Sequence, residues 1–154
     1  AAVGQIWTEL SRVRSQAGDV GGMAEALEER ARSMRSTNAD DWLKAAQAWS
    51  LSATPARGVE SAMRAVDLAP DSYEARKTAT IVLANAGIID RAIGHGRNAW
   101  AIRPGDPDLA LLLGRLHARR GEMRDARSIL TEGLRSNPSD PRLRDALRRL
   151  EQDR

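Results

Sequence analysis

Apolar residues return every three or four positions along most of the chain, as in Leu109, Leu113 and Leu116 and then Met123, Ala126, Ile129 and Leu130. That period is helical, so each run predicts an amphipathic helix of roughly 12 to 14 residues. The runs come in pairs. Within a pair, a short break carries Gly87 or Gly121, as expected where one helix ends and the next turns back against it. Between pairs the chain carries Pro-x-Asp-Pro, at Pro104 to Pro107 and again at Pro138 to Pro141. Asp106 and Asp140 are natural N-caps, and Pro107 and Pro141 fall in the first helical turn, where a missing N–H costs nothing. The tetrad is therefore expected to end one helical hairpin and start the next.

The prolines also set a period. Pro70, Pro104 and Pro138 stand 34 residues apart and divide the chain into blocks 39–72, 73–106 and 107–140. In the last block Gly114, Gly121, Ala126, Leu130 and Pro138 occupy positions 8, 15, 20, 24 and 32. The middle block places Gly87, Ala92, Ala99 and Pro104 at 15, 20, 27 and 32, and the first places Trp42, Trp49, Ala65 and Pro70 at 4, 11, 27 and 32. This pattern resembles the tetratricopeptide repeat (TPR) family. The resemblance implies an all-α fold, a right-handed α-solenoid of about three and a half helical hairpins plus a C-terminal capping helix. It covers residues 39–153 well. Residues 4–38 fit a degenerate repeat through Trp7, Leu10, Gly18, Met23 and Leu27, if one residue is inserted before Trp42. Residues 141–153 repeat only a first helix: Leu143, Leu147 and Leu150 stay apolar, while Arg144, Arg148 and Glu151 occupy positions that would face an absent second helix. Such a segment reads as a solvating cap, and the whole of 1–154 as a single domain.

Two glycines depart from the family pattern, Gly58 at position 20 and Gly96 at position 24. A glycine inside a helix costs about 1 kcal/mol relative to alanine, so an offset is expected. Trp49 is expected to fill the space over Gly58. Near Gly94 and Gly96 the expectation is either a close approach of two helices or a local weak point.

Composition agrees with an all-helical chain. Aromatics are 3% and Phe is absent, which argues against a β-sandwich or barrel. No run reaches the roughly 18 to 20 apolar residues that span a bilayer, and the opening AAVGQIWTEL lacks the shape of a signal peptide. The missing initiator Met reads as a mature form or an excised fragment. Without Cys there are no disulfides, thiolate nucleophiles or Cys-based zinc sites, and the compartment stays open between cytoplasm and periplasm. A pI of 10.1 exaggerates the field, because the net charge is +3 and the basic residues are nearly all Arg. The Arg-rich composition hints at a bacterial, GC-rich genome. Residues 1–72 hold 8 basic and 10 acidic groups, residues 73–154 hold 16 and 11, so an acidic partner should prefer the second half.

Chemistry is sparse. Gly94-His95-Gly96-Arg97-Asn98-Ala99 matches a permissive dinucleotide fingerprint, but it lies inside a predicted helix whose amides are already bonded. His95 and His117 fall in different repeats; His117 reads as a packing residue, and no ligand spacing proposes a metal site. Glu28, Glu29, Asp40 and Asp41 read as solvated faces or caps. Only Tyr73 and Trp100 accompany the basic residues of the second half, too few for a stacking platform, so specific nucleic-acid readout is not indicated.

The resemblance implies that the first helix of each hairpin lines a concave groove. The residues mapped there are Leu43, Gln47 and Ser50, then Lys77, Ile81 and Asn85, then Leu111, Arg115 and Arg119, and Arg142 and Arg149 in the cap. Lys77, Arg115, Arg119 and Arg149 form a candidate stripe for carboxylate or phosphate groups. The Lys and Asn set by which TPR domains clamp acidic chaperone tails is missing, with Leu43, Gln47 and Ile81 at its positions. The expected function is a non-catalytic scaffold without cofactor. It would bind a protein or peptide, an acidic one by preference, through Gln47, Lys77, Ile81, Asn85, Leu111, Arg115, Arg119 and Arg149. The alternative is a targeting or oligomerisation module of a larger bacterial enzyme or polysaccharide-secretion protein, self-associating through terminal repeats.

Overall fold

A computed structural model describes residues 2–152; Asp153, the last residue of the expected cap, lies outside them. The described residues form nine α-helices and one 3-10 turn, with no strand: α1 (Ala2–Gln16), α2 (Val20–Ser33), α3 (Ala39–Leu51), a 3-10 turn (Pro55–Gly58), α4 (Val59–Leu68), α5 (Tyr73–Asn85), α6 (Ile89–Ile102), α7 (Pro107–Arg119), α8 (Met123–Ser136) and α9 (Pro141–Gln152). The first helices α3, α5, α7 and α9 start at 39, 73, 107 and 141, and so keep the 34-residue interval. None of the described helices is long and apolar enough to cross a membrane.

Local chemistry sets these boundaries. Asp106 accepts from the Asp108 amide at 2.9 Å, and Asp140 from the Arg142 amide at 2.9 Å, each with a proline opening the helix that follows. Asn38 and Ser72 cap α3 and α5 in the same way. At Gly87 and Gly121 the backbone turns left-handed, φ 76° and 77°. The next amide reaches back to Leu83 and His117 respectively at 2.9 Å, which closes the helix end and reverses the chain.

The chain divides into two compact units, one ending at Ala92 and the other starting at Ile93, within α6. In the first unit consecutive helices pack from α1 to α5, and α3 also touches α5. Its interior is mostly alanine, with Trp42, Trp49, Val66, Tyr73, Val82 and Leu83 as the larger apolar side chains. Met23 and Leu27 of α2 pack on Ala24, Ala48 and Trp49. A Cβ on Gly58 would lie 2.6 Å from the Trp49 Cβ, so the tryptophan does occupy the space over this glycine. The expected helix-interior penalty does not apply, however. Gly58 ends the 3-10 turn and precedes α4, whose regular turns begin only at Val59.

Glu28 overturns its reading as a solvated residue. It is buried between α2, α3 and α4, where its carboxylate accepts from Trp49 Nε1 at 3.2 Å and Ser61 Oγ at 2.8 Å. Asp41 is also engaged, accepting from Arg30 at 3.0 Å and Ser36 at 2.6 Å. Asp40 and Glu29 remain near solvent, in pairs with Lys44 and Arg32.

In the second unit α7 packs on α8, and α9 packs on both. Ala110, Leu130 and Leu143 form its core, against which Leu147 and Leu150 of α9 rest half-buried. Arg144, Arg148 and Glu151 are exposed, as a cap requires. The helices meet through glycine: a Cβ on Gly133 would stand 2.6 Å from the Ala110 Cβ, and one on Gly114 would stand 2.8 Å from Leu130. Gly96 is buried, whereas Gly94 is exposed and faces open space. No close helix approach therefore accounts for the glycine at 94.

Gly94→Ala is expected to raise stability by about 0.5–1 kcal/mol, and Gly133→Ala to lower it by about 1–3 kcal/mol. Glu28→Ala should cost about 2–3 kcal/mol by stranding the Trp49 and Ser61 donors, and Glu28→Gln, which keeps an acceptor, should cost less. Urea unfolding of the four variants checks all of these.

Candidate functional site

The groove of the second unit is built by two first-type helices, α7 and α9, with Leu130 of α8 beneath them. Leu111, Gly114 and Ala118 of α7 face Ala146 and Leu150 of α9 across it, while Arg115, Arg142, Asp145 and Arg149 complete its lining. The glycine at 114 lets Leu130 approach and form the floor. Helical spacing does the rest: Leu111, Arg115 and Ala118 recur at intervals of four and three, as do Arg142, Ala146 and Arg149, so each set shares a face.

Electrostatics separate the arginines. Arg142 is tied to Asp108 at 2.7 Å and Asp140 at 2.8 Å. Those carboxylates hold its pKa above the ordinary guanidinium value, chiefly through its hydrogen bond to Asp140. Among the described residues, no carboxylate pairs with Arg115, Arg119 or Arg149. Arg115 and Arg149 are exposed at the groove with their charge unspent.

Leu111, Arg115 and Arg149 of the expected set are thus brought together. Arg119 lies one turn beyond Arg115 on the same helix, exposed, and does not line the groove. The other four belong to the first unit, where α3 carries Gln47 and α5 carries Lys77, Ile81 and Asn85. Gln47, Lys77 and Ile81 are half-buried; Asn85 is exposed and donates to the Ile81 carbonyl at 2.9 Å. Lys77 lies 5.9 Å from the Tyr73 ring centre. Gly114, Ala118, Leu130, Asp145, Ala146 and Leu150 were missed as groove residues; the helical spacing of Ala146 and Leu150 is the signal that could have found those two.

The remaining candidates are integrated into the fold. The Gly94–Ala99 stretch lies within α6, as its helical context predicts. Tyr73 is buried, and the Trp100 Nε1 donates to Glu132 at 3.2 Å, so neither offers a free stacking face with its polar edge available. His117 is 3% exposed, which agrees with a packing role, but its Nδ1 also lies 2.6 Å from Glu122. With Asp125 these residues form a cluster that the sequence spacing does not advertise.

Paired helices repeated at a constant interval, with first-type helices lining a groove, define the class of helical-hairpin repeat proteins. The tetratricopeptide repeat family matches residues 83–150. No curated protein matches the sequence. Among solved structures, MamA is similar at 19% identity and a TM-score of 0.85, over 97% of this chain and 81% of that one. YrrB, described as a TPR protein with an unusual peptide-binding site, aligns at 20% identity and a TM-score of 0.81, over 93% and 73%. A thermophilic TPR protein of Thermus thermophilus aligns at 17% and 0.68, over 97% and 81%. The chain is thus similar to the tetratricopeptide repeat family in sequence over residues 83–150, and it shares the fold of these solved structures.

Asp140 caps α9 and holds Arg142, and the hydrogen bond from that guanidinium lowers its pKa. Its contribution is full above the unfolded value of about 3.9 and is lost as pH falls through the lower folded value. Thermal unfolding below pH 5 should therefore show the stability gap between the parent and Asp140→Asn closing with acid.

Proposed function

We propose that this protein is a non-catalytic interaction scaffold that holds an acidic partner segment in the groove between α7 and α9. The observation that carries the reading is the pairing of an apolar floor with two uncompensated guanidiniums, Arg115 and Arg149. Apolar side chains of the segment would rest on Leu111, Leu130 and Leu150, while its carboxylates meet the arginines, which can bind them bidentately. The family supports an interaction role, and the peptide-binding site attributed to YrrB makes a peptide a reasonable occupant. In the first unit, Gln47, Lys77, Ile81 and Asn85 on α3 and α5 would offer contacts of their own to a partner.

The oligomerisation reading has an observation of its own. Helix α1 exposes Val3, Ile6 and Val13, an apolar row that a second copy could cover. Light scattering across a concentration series, with Ile6→Glu as control, separates the two readings.

The groove reading is tested by selecting short peptides from a random display library and measuring the winners by fluorescence anisotropy. Sequences combining Asp or Glu with Leu, Ile or Phe are expected. Their affinity should fall at least about tenfold in Arg115→Glu/Arg149→Glu, equivalent to about 1.4 kcal/mol, with helicity unchanged by circular dichroism. Selection of neutral or basic peptides, or binding indifferent to the charge reversal, would reject the proposal.

A further inference from the structure

On a different lining from the groove, the turn between α7 and α8 assembles three metal-ligating side chains that no sequence spacing brought together. His117 lies on α7, Glu122 in the turn and Asp125 on the first turn of α8, with one ligand atom from each lying within 4.8 Å of the others. Two of the three are held in place. The His117 ring is buried, with Nδ1 2.6 Å from Glu122 Oε2, while the Glu122 amide donates to the His117 carbonyl at 2.9 Å. Gly121 makes this double connection feasible, because its left-handed φ of 77° folds the chain back on the helix end. Asp125 is exposed and can change rotamer.

We propose that His117, Glu122 and Asp125 form a binding site for a divalent transition ion of the zinc type. One imidazole nitrogen and two carboxylate oxygens suit zinc and its neighbours, whereas magnesium and calcium favour all-oxygen sets. Bonds of about 2.0–2.2 Å in a tetrahedron set donors roughly 3.3 Å apart, so His117 Nδ1 and Glu122 Oε2 part slightly from 2.6 Å while rotation of Asp125 closes the wider gap. The ion takes the place of the proton between His117 and Glu122, which leaves at least one coordination position to solvent. Bound there, it joins both helices of the α7–α8 hairpin and steadies α7, the helix that presents Leu111 and Arg115 to the groove.

The surrounding charges bear on its strength. Arg120 reaches Glu122 at 3.1 Å, and Arg97 faces the same pocket, so both guanidiniums compete with a cation. Glu132 also lines the pocket but already accepts from Trp100. The competition gives the site a signature that scattered surface binding lacks. Removal of Arg120 should tighten the ion's hold, while removal of Asp125 should loosen it.

The experiment is a titration of zinc chloride into the protein labelled with 15N-histidine, alongside calorimetry and thermal unfolding. With two histidines in the chain, the resonances of His95 and His117 separate readily. One equivalent is expected to move the ring nitrogens of His117 and not those of His95, and to raise the unfolding temperature in step with saturation. Asp125→Asn should weaken binding by at least about tenfold, and Arg120→Gln should strengthen it. Because His117 is buried, its replacement could unfold the hairpin; the exposed Asp125 and Arg120 keep the test independent of that. No saturation below about 100 µM, a shift at His95 alone, or affinity unchanged in Asp125→Asn would overturn the proposal.

Discussion

Helices in this protein come together at points where no side chain fits. Gly58 lies under Trp49, Gly114 against Leu130 and Gly133 against Ala110, each with less room than a methyl group needs. An isolated hairpin of two short amphipathic helices cannot bury enough apolar surface to be stable, so every hairpin depends on stacking against a neighbour. Small residues at these crossings bring the two helices within a hairpin close together. The alanine-rich interior follows from the same constraint, since larger side chains would force the helix axes apart.

Tight apolar packing leaves few directions for a polar group, and the two units use the exceptions differently. In the first, Glu28 draws one donor from α3 and one from α4, so a single carboxylate cross-links three helices. In the second, His117 and Glu122 hold one turn shut through main chain and side chain together. Burial is tolerated in both places because the Glu28 carboxylate and the His117 Nδ1 each have a hydrogen-bond partner. Either would be expensive to leave alone.

The groove shows how much a repeat pattern reveals about which residues share a lining. The family resemblance assigned Leu111, Arg115 and Arg149 to the inner faces of their helices, and the structure brings them to one groove. Periodicity is silent on what stands beside each residue. Arg142 and Arg149 belong to the same helix, yet Arg142 is neutralised by Asp108, 34 positions earlier, and by the capping Asp140, while Arg149 meets no described carboxylate. Likewise, Glu28 and Glu29 are neighbours in sequence and differ entirely in environment, because a helix rotates successive side chains by about 100°.

By itself the sequence determined the helical hairpins, their 34-residue interval, the caps, and the polar outer face of α9, all of which rest on local chemistry: periodic burial, N-caps, proline geometry and left-handed turns. Tertiary structure decided which charges were paired and which were not, why Gly58 tolerates its place, and that His117, Glu122 and Asp125 meet. Those outcomes depend on distances between residues on different helices. No local rule encodes such distances, because close packing sets them only after the hairpins have formed.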